Sequence, residues 1–294
     1  MKLLRAATLA VPDVAATAGR YREFMDYSVI EQGRLDPELA ESWGAPGNAS
    51  RPFAVMAPSS GADIYLRFVE GDPQPDYRPL RTFGWAAIEI CVEDVLAANA
   101  RMEKSPFEII GPPREIDGLP AIYPMQVQGP DGEIVYLTQI RSDLPAYDLP
   151  RAQSPIDKLF ICVLACSDMR RSIEWFEEHV GLTFGRDMQI VYTMLAKAFG
   201  TPMDQLYTIS TMVHERDVFL ELDQYPEAAT PRPTAKGQLP PAVAMVTLKV
   251  PDFSRIRGEW IAPPRRRDSA IYKGAMAGTL RAPDGALVEV VEIA

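Results

Sequence analysis

Two nine-residue stretches, Gly129-Pro130-Asp131-Gly132-Glu133-Ile134-Val135-Tyr136-Leu137 and Ala282-Pro283-Asp284-Gly285-Ala286-Leu287-Val288-Glu289-Val290, constrain this chain more than anything else in it. In each, Pro presets φ, Asp bonds the backbone ahead of it and Gly takes a left-handed conformation, so a tight turn must feed a strand. Each is preceded by the same words: Pro112-Pro113-Arg114 with Ala121-Ile122-Tyr123, and Pro263-Pro264-Arg265 with Ala270-Ile271-Tyr272. Two copies of one supersecondary unit, about 150 residues apart, imply an internal repeat.

The units can be followed through the chain. A strand from Leu4 to Val11 stops at Pro12-Asp13, and a helix follows through Tyr21, Phe24 and Met25. The segment 35–60, rich in Pro, Gly and Asn, reads as an insertion with a short helix at 37–43, placed to arch over a pocket; a strand follows at 64–69. The same step recurs as strand 85–92, helix 95–102 and the first hairpin, then as strand 159–166, helix 169–179 ended by Gly181, a helical insertion at 195–203 and strand 218–222. A fourth begins with strand 242–250, stops at Pro251-Asp252 and ends in the second hairpin. Between 141 and 156, prolines and aspartates outnumber apolar residues, which marks a linker between units 1–145 (modules 1–75 and 80–145) and 155–294 (modules 155–228 and 238–294). The pattern predicts an α+β fold: four βαβββ modules paired into two cup-shaped mixed or antiparallel sheets, with helices on the outer faces.

Composition narrows the partners. With 294 residues and 47% hydrophobic content the chain buries a large core, and a net charge of −10 disfavours nucleic acid and anionic membrane surfaces. A small apolar or aromatic molecule is the expected partner, and a homodimer is an assembly open to such a chain. Cys162 and Cys166 share one strand about 13 Å apart, too far for a disulfide at ~3.3 Å per residue. With no long apolar run and no signal-like leader, the expected location is cytoplasmic.

The words Leu9-Ala10-Val11-Pro12-Asp13, Ile90-Cys91-Val92-Glu93-Asp94, Leu164-Ala165-Cys166-Ser167-Asp168 and Leu248-Lys249-Val250-Pro251-Asp252, with both hairpins, resemble the vicinal oxygen chelate superfamily of glyoxalases, extradiol dioxygenases and bleomycin-resistance proteins. That resemblance spans the chain and implies sheet-lined cups, commonly with a metal at the floor. It also implies where ligands sit: a His seven residues before each strand-ending Asp, and a Glu near the end of each last strand. The first set reads Ala6, Ala87, Ile161 and Met245; the second reads Arg67, Tyr136, Glu221 and Glu289. The chain's two histidines, His179 at a helix end and His214 before a strand, occupy neither set, so no metal and no cofactor is expected.

Strand alternation places Thr8, Ala10, Glu89 and Cys91 on the cup face of the first half with Arg67 and Tyr136, and Val163, Ala165, Thr247 and Lys249 on that of the second with Glu221 and Glu289. In the first cup Arg67, Glu89 and Tyr136 suit holding and protonating a carboxylate or phenolate; the competing reading is an Arg67–Glu89 ion pair filling a vestigial cavity. In the second, facing Glu221 and Glu289 would raise one another's pKa and leave an acid beside a base, unless Lys249 neutralises one of them. The catalytic candidates are Glu289, Glu221 and Tyr136. Arg67, Glu89, Lys249, Tyr192 and Tyr207 are the substrate-binding candidates, with Met194 and Met212 as apolar wall. The function expected is a glyoxalase- or dioxygenase-like protein acting as a metal-independent lyase or isomerase by acid–base chemistry. A non-catalytic binding or sequestration protein and a metal-dependent ring-cleaving dioxygenase are the alternatives.

Overall fold

An aspartate ends the first strand of every module, and it is a helix cap. Asp13 Oδ1 accepts from the Ala16 amide at 2.9 Å, Asp94 Oδ1 from Leu96 at 2.8 Å, Asp168 Oδ1 from Arg171 at 3.1 Å and Asp252 Oδ1 from Ser254 at 2.7 Å. Each satisfies an amide that a helix start would otherwise leave unpaired. The computed structural model, which describes residues 2–293, builds four modules on these caps. Module one holds β1 (Leu4–Val11), α1 (Val14–Phe24), β2 (Tyr27–Arg34), the inserted α2 (Pro37–Ser42), β3 (Pro52–Pro58) and β4 (Tyr65–Glu70). Module two holds β5 (Gly84–Val92), α3 (Val95–Met102), β6 (Glu108–Gly111), β7 (Ile122–Gln128) and β8 (Ile134–Ile140). Module three holds β9 (Ile156–Cys166), α4 (Met169–Val180), β10 (Thr183–Val191), the inserted α5 (Thr193–Phe199), β11 (Leu206–His214) and β12 (Asp217–Gln224). Module four holds β13 (Ala242–Val250), β14 (Arg265–Arg266), β15 (Met276–Arg281) and β16 (Leu287–Glu292). Its expected helix is a single 3₁₀ turn at Phe253–Arg255, because Gly258, Pro263 and Pro264 leave no uninterrupted run to propagate one.

The modules form two eight-stranded mixed sheets, but not by halves of the chain. One sheet runs β14-β15-β16-β13-β1-β4-β3-β2 and the other β10-β11-β12-β9-β5-β8-β7-β6. Module one therefore shares a cup with module four, and module two with module three. The cup assignments read along the chain are corrected accordingly. The joints are antiparallel pairings of β1 with β13 and β5 with β9, while inside every module the first strand lies parallel to the last. α1, α3 and α4 cover the convex faces, where one continuous core joins them to both sheets. Tyr21 of α1 meets Phe68 of the first sheet and Phe107 of module two at ring separations of 4.8 and 5.8 Å.

Both hairpins form as expected, β7 to β8 and β15 to β16. Their aspartates also fasten neighbouring modules. Asp131 accepts from Thr17 and Arg20 of α1, and Asp284 accepts from the Ser167 amide at 2.9 Å and its hydroxyl at 2.6 Å. The three cysteines are free and buried. Among the described residues no helix is long and apolar enough to cross a membrane.

Candidate functional site

Side-chain alternation brings the four last-strand positions to the cup floors, as the sequence pattern requires. In the first sheet Thr8 is in register with Arg67 and Thr247 with Glu289; in the second Glu89 is in register with Tyr136 and Val163 with Glu221. The cross-sheet partners differ from expectation. Arg67 does not pair with Glu89, and Glu221 does not face Glu289, because each pair is split between the two sheets.

The floor of the first cup, between modules one and four, is a closed network. Glu289 Oε2 accepts from Arg67 at 2.9 Å and Thr247 at 2.7 Å, and its Oε1 accepts from Trp43 at 2.8 Å and Tyr272 at 2.6 Å. Arg67 also donates to Thr8 at 2.9 Å and to the Tyr272 hydroxyl at 2.6 Å, and its guanidinium lies 4.4 Å from the centre of the Trp43 ring. The insertion does arch over this cup. It delivers Trp43, fully buried, onto an ion pair whose members are 2% and 1% exposed. Such a pair is tolerable inside a protein only because its hydrogen-bonding capacity is filled. A cavity of about 380 Å³ lies beside it, rimmed by Arg34, Arg266, Arg267, Glu31, Asp36 and Asp268. Lys249 lies in this sheet opposite Val291 and makes no bond to Glu289 or Glu221 among the described residues. Burial, then the Arg5 charge, lowers its pKa.

The second cup, between modules two and three, has no cation at its floor. Glu89 accepts a hydrogen bond from Thr138. Tyr136 and Tyr192 share a hydrogen bond through their hydroxyls, and Tyr192 donates to Glu221 Oε1 at 3.3 Å. Asp223 lies two residues beyond Glu221 on the same face of β12 and is 1% exposed. Burial, then the Glu221 charge, pushes Glu89 up to about 8. Burial, then Asp223, raises Glu221 well above the carboxylate range, and burial raises Asp223 to about 7. Three carboxyls without a counter-ion cannot all ionise, so the pair Glu221–Asp223 titrates as a unit and keeps a proton near neutrality. The like-charge logic expected for Glu221 with Glu289 thus operates between Glu221, Asp223 and Glu89.

Above this floor is a largely apolar cavity of about 90 Å³, lined by Ile122, Phe160, Ile161, Met188, Ile190 and Ile209, with Glu89, Tyr136, Tyr192, Glu221 and Arg186 as its polar lining. A second cavity of about 180 Å³ adjoins it and shares Ile116, Ile190 and Tyr192 as walls. Tyr207 stands behind the wall: its ring meets Tyr192 edge-on at 6.5 Å and its hydroxyl bonds Thr201 at 2.6 Å. Met194 lines the adjoining cavity, whereas Met212 packs in the helix-covered core.

Neither floor offers a metal ligand set. In the first cup a guanidinium stands opposite Glu289, with Ala6 and Met245 at the histidine positions; in the second, Ala87 and Ile161 stand there and a tyrosine opposes Glu221. Among the described residues no cluster of three or more His, Cys, Asp or Glu is gathered to hold a metal ion. His179 stacks on Trp175 at the end of α4, and His214 closes β11.

Strand order, paired cups and insertion together define the vicinal oxygen chelate fold in its four-module form. Across 99% of its length the chain is similar to glyoxalase I from Zea mays (TM-score 0.64, 19% identity, 92% of that chain covered). It is similar over 99% of its length to a putative dioxygenase from Bacillus subtilis as well (TM-score 0.63, 13% identity, 85% of that chain covered). No family model and no curated protein matches the sequence.

Asp223, Trp43, Tyr272 and Arg186 are the site residues that sequence reasoning missed. Asp223 carried a signal, two residues from Glu221 on an alternating strand, and Tyr272 stands in the repeated Ala-Ile-Tyr word. Nothing local marks Trp43 as the lid of a distant glutamate.

Proposed function

We propose that the second cup is the working site and that the protein is an acid–base enzyme, a lyase or isomerase that moves a proton on a small apolar or aromatic molecule without drawing on a metal. One observation carries the reading: Glu89 and Glu221 open into a largely apolar cavity with no cation paired to either carboxyl among the described residues. In such a place a carboxylate is a strong base and its protonated neighbour an acid at the same pH. The base takes a proton from a carbon made acidic by an adjacent carbonyl or carboxyl group. The partner carboxyl returns one to another atom of the substrate or to a departing group, so the proton count balances. The chain Tyr136–Tyr192–Glu221 points its hydroxyl protons toward the carboxyl, holds Glu221 in place and leaves the Tyr136 oxygen as an acceptor toward the bound molecule. The residues fit no metal, so no step is drawn through one.

The test needs no known substrate. In heavy water, proton transfer labels a substrate at carbon, so wild-type protein incubated with a pool of small apolar metabolites is expected to introduce deuterium into at least one. Glu221→Gln and Glu89→Gln keep shape and should each lower that rate roughly 10²–10⁴-fold. If compounds bind the cavity but none is labelled or converted, the sequestration reading replaces this one. Its own support is the preponderance of apolar side chains in the lining.

A further inference from the structure

The cup face of β10 reads Arg186, Met188, Ile190, an arginine at the end of an apolar stripe, while Asp187 turns outward to Arg170 and Ser210. Arg186 lines the same cavity as Glu89 and Glu221. Its Nε–H is buried with no hydrogen-bond partner among the described residues, and its guanidinium lies 5.8 Å from the centre of the Tyr147 ring. Among half-buried arginines elsewhere, Arg20 pairs with Asp131, Arg101 with Asp26 and Arg267 with Asp36 and Glu38, whereas no carboxylate pairs with Arg186 among the described residues. Leaving a guanidinium's donors unmade in a half-buried apolar place is costly, and a bound anion would complete them.

We propose that Arg186 is the recognition residue for the substrate's anionic group, and that the cavity takes an apolar monocarboxylate whose carboxylate pairs with Arg186 while its apolar body lies on Phe160, Ile161 and Met188. The proposal rests on the second cup being the working site. The rest of the lining agrees with it. The other charged residues there are Glu89 and Glu221, so the arginine is the one cation a ligand meets in this lining. A carboxylate also fits the proposed chemistry, since it activates the neighbouring carbon only weakly and would rely on a desolvated base. A dianion, with a second charge falling on the acidic floor, is disfavoured.

The experiment is a calorimetric titration with an isosteric pair, phenylacetate and phenylacetamide, against the full-length protein. Phenylacetate is expected to bind about 10- to 100-fold more tightly, the worth of a charge-assisted hydrogen bond. Arg186→Met should reduce phenylacetate to the affinity of phenylacetamide and leave phenylacetamide unchanged; Arg186→Lys, which keeps the charge but not the fork, should keep part of the preference. Equal binding of the pair by wild type, or a preference that persists in Arg186→Met, overturns the assignment while leaving the acid–base site standing. Binding of neither compound, nor of longer alkyl pairs of the same kind, counts against the cavity reading and this one together.

Discussion

The two cups occupy equivalent places in equivalent sheets and differ most in what stands opposite a glutamate. In the first, Arg67 stands across from Glu289; in the second, Tyr136 occupies the position facing Glu221. With the cation present, the carboxylate accepts four hydrogen bonds and is sealed beneath Trp43. Without it, the carboxyl keeps company with two further acids, Glu89 and Asp223, and opens into an apolar cavity. The first arrangement is a joint between modules. The second is a group of buried carboxyls whose pKa values are raised. An internal charge is thus inert or reactive according to whether its counter-ion is built in, which is why the candidate chemistry lies with Glu221 rather than with Glu289.

The comparison can be broken most forcefully at Arg67. Arg67→Met strands Glu289 as an unpaired buried acid, and urea unfolding should show a loss of about 3–5 kcal/mol. The double variant Arg67→Met with Glu289→Gln should recover a good part of it. A single variant as stable as wild type would mean that the first cup is not a joint. A smaller effect is expected from Thr247→Val, which removes one of the four donors and should cost about 1.5–3 kcal/mol, as hydrogen bonds to charged groups do.

The mildest test is a pH profile of the second cup. Glu89 rises from an ordinary value near 4.5 to about 8 on folding, so its stabilising effect is fully present below about 4.5 and is lost progressively as pH rises toward 8. Stability should therefore fall through this window in wild type, and fall less steeply in Glu89→Gln. A variant whose profile superimposes on that of wild type would show that the Glu89 proton is not held by the fold.

Much of the architecture was legible because it is written locally. Asp13, Asp94, Asp168 and Asp252 declare strand ends through capping, the two Pro-Asp-Gly words declare hairpins, and the two-residue period of strands puts Arg67, Tyr136, Glu221 and Glu289 on cup floors without any knowledge of the neighbours. What was not legible is which module lies beside which. β1 and β5 are both fully buried strands, and nothing in their side chains distinguishes β13 from β9 as a partner. That choice is made by the packing of α1, α3 and α4 into one shared core, and it decides everything about the site. Glu289 acquires Arg67 from a strand some 220 residues away, while Glu221 acquires Glu89. Arg186 is hidden for a simpler reason, since Gly185 and Asp187 flank it and break the apolar alternation that would mark β10 as a strand.

The nested order of the modules bears on how a ribosome delivers this protein. The inner sheet can close as soon as residue 224 has emerged, because all its strands lie between Gly84 and Gln224. The outer sheet cannot. β1 finds β4 early on one side, but its other edge waits for β13, and through that interval a largely apolar strand shows bare amides and carbonyls to its surroundings. Nascent chains halted before residue 242 should therefore be the sticky ones, and a holdase bound to that edge is the assistance this topology calls for.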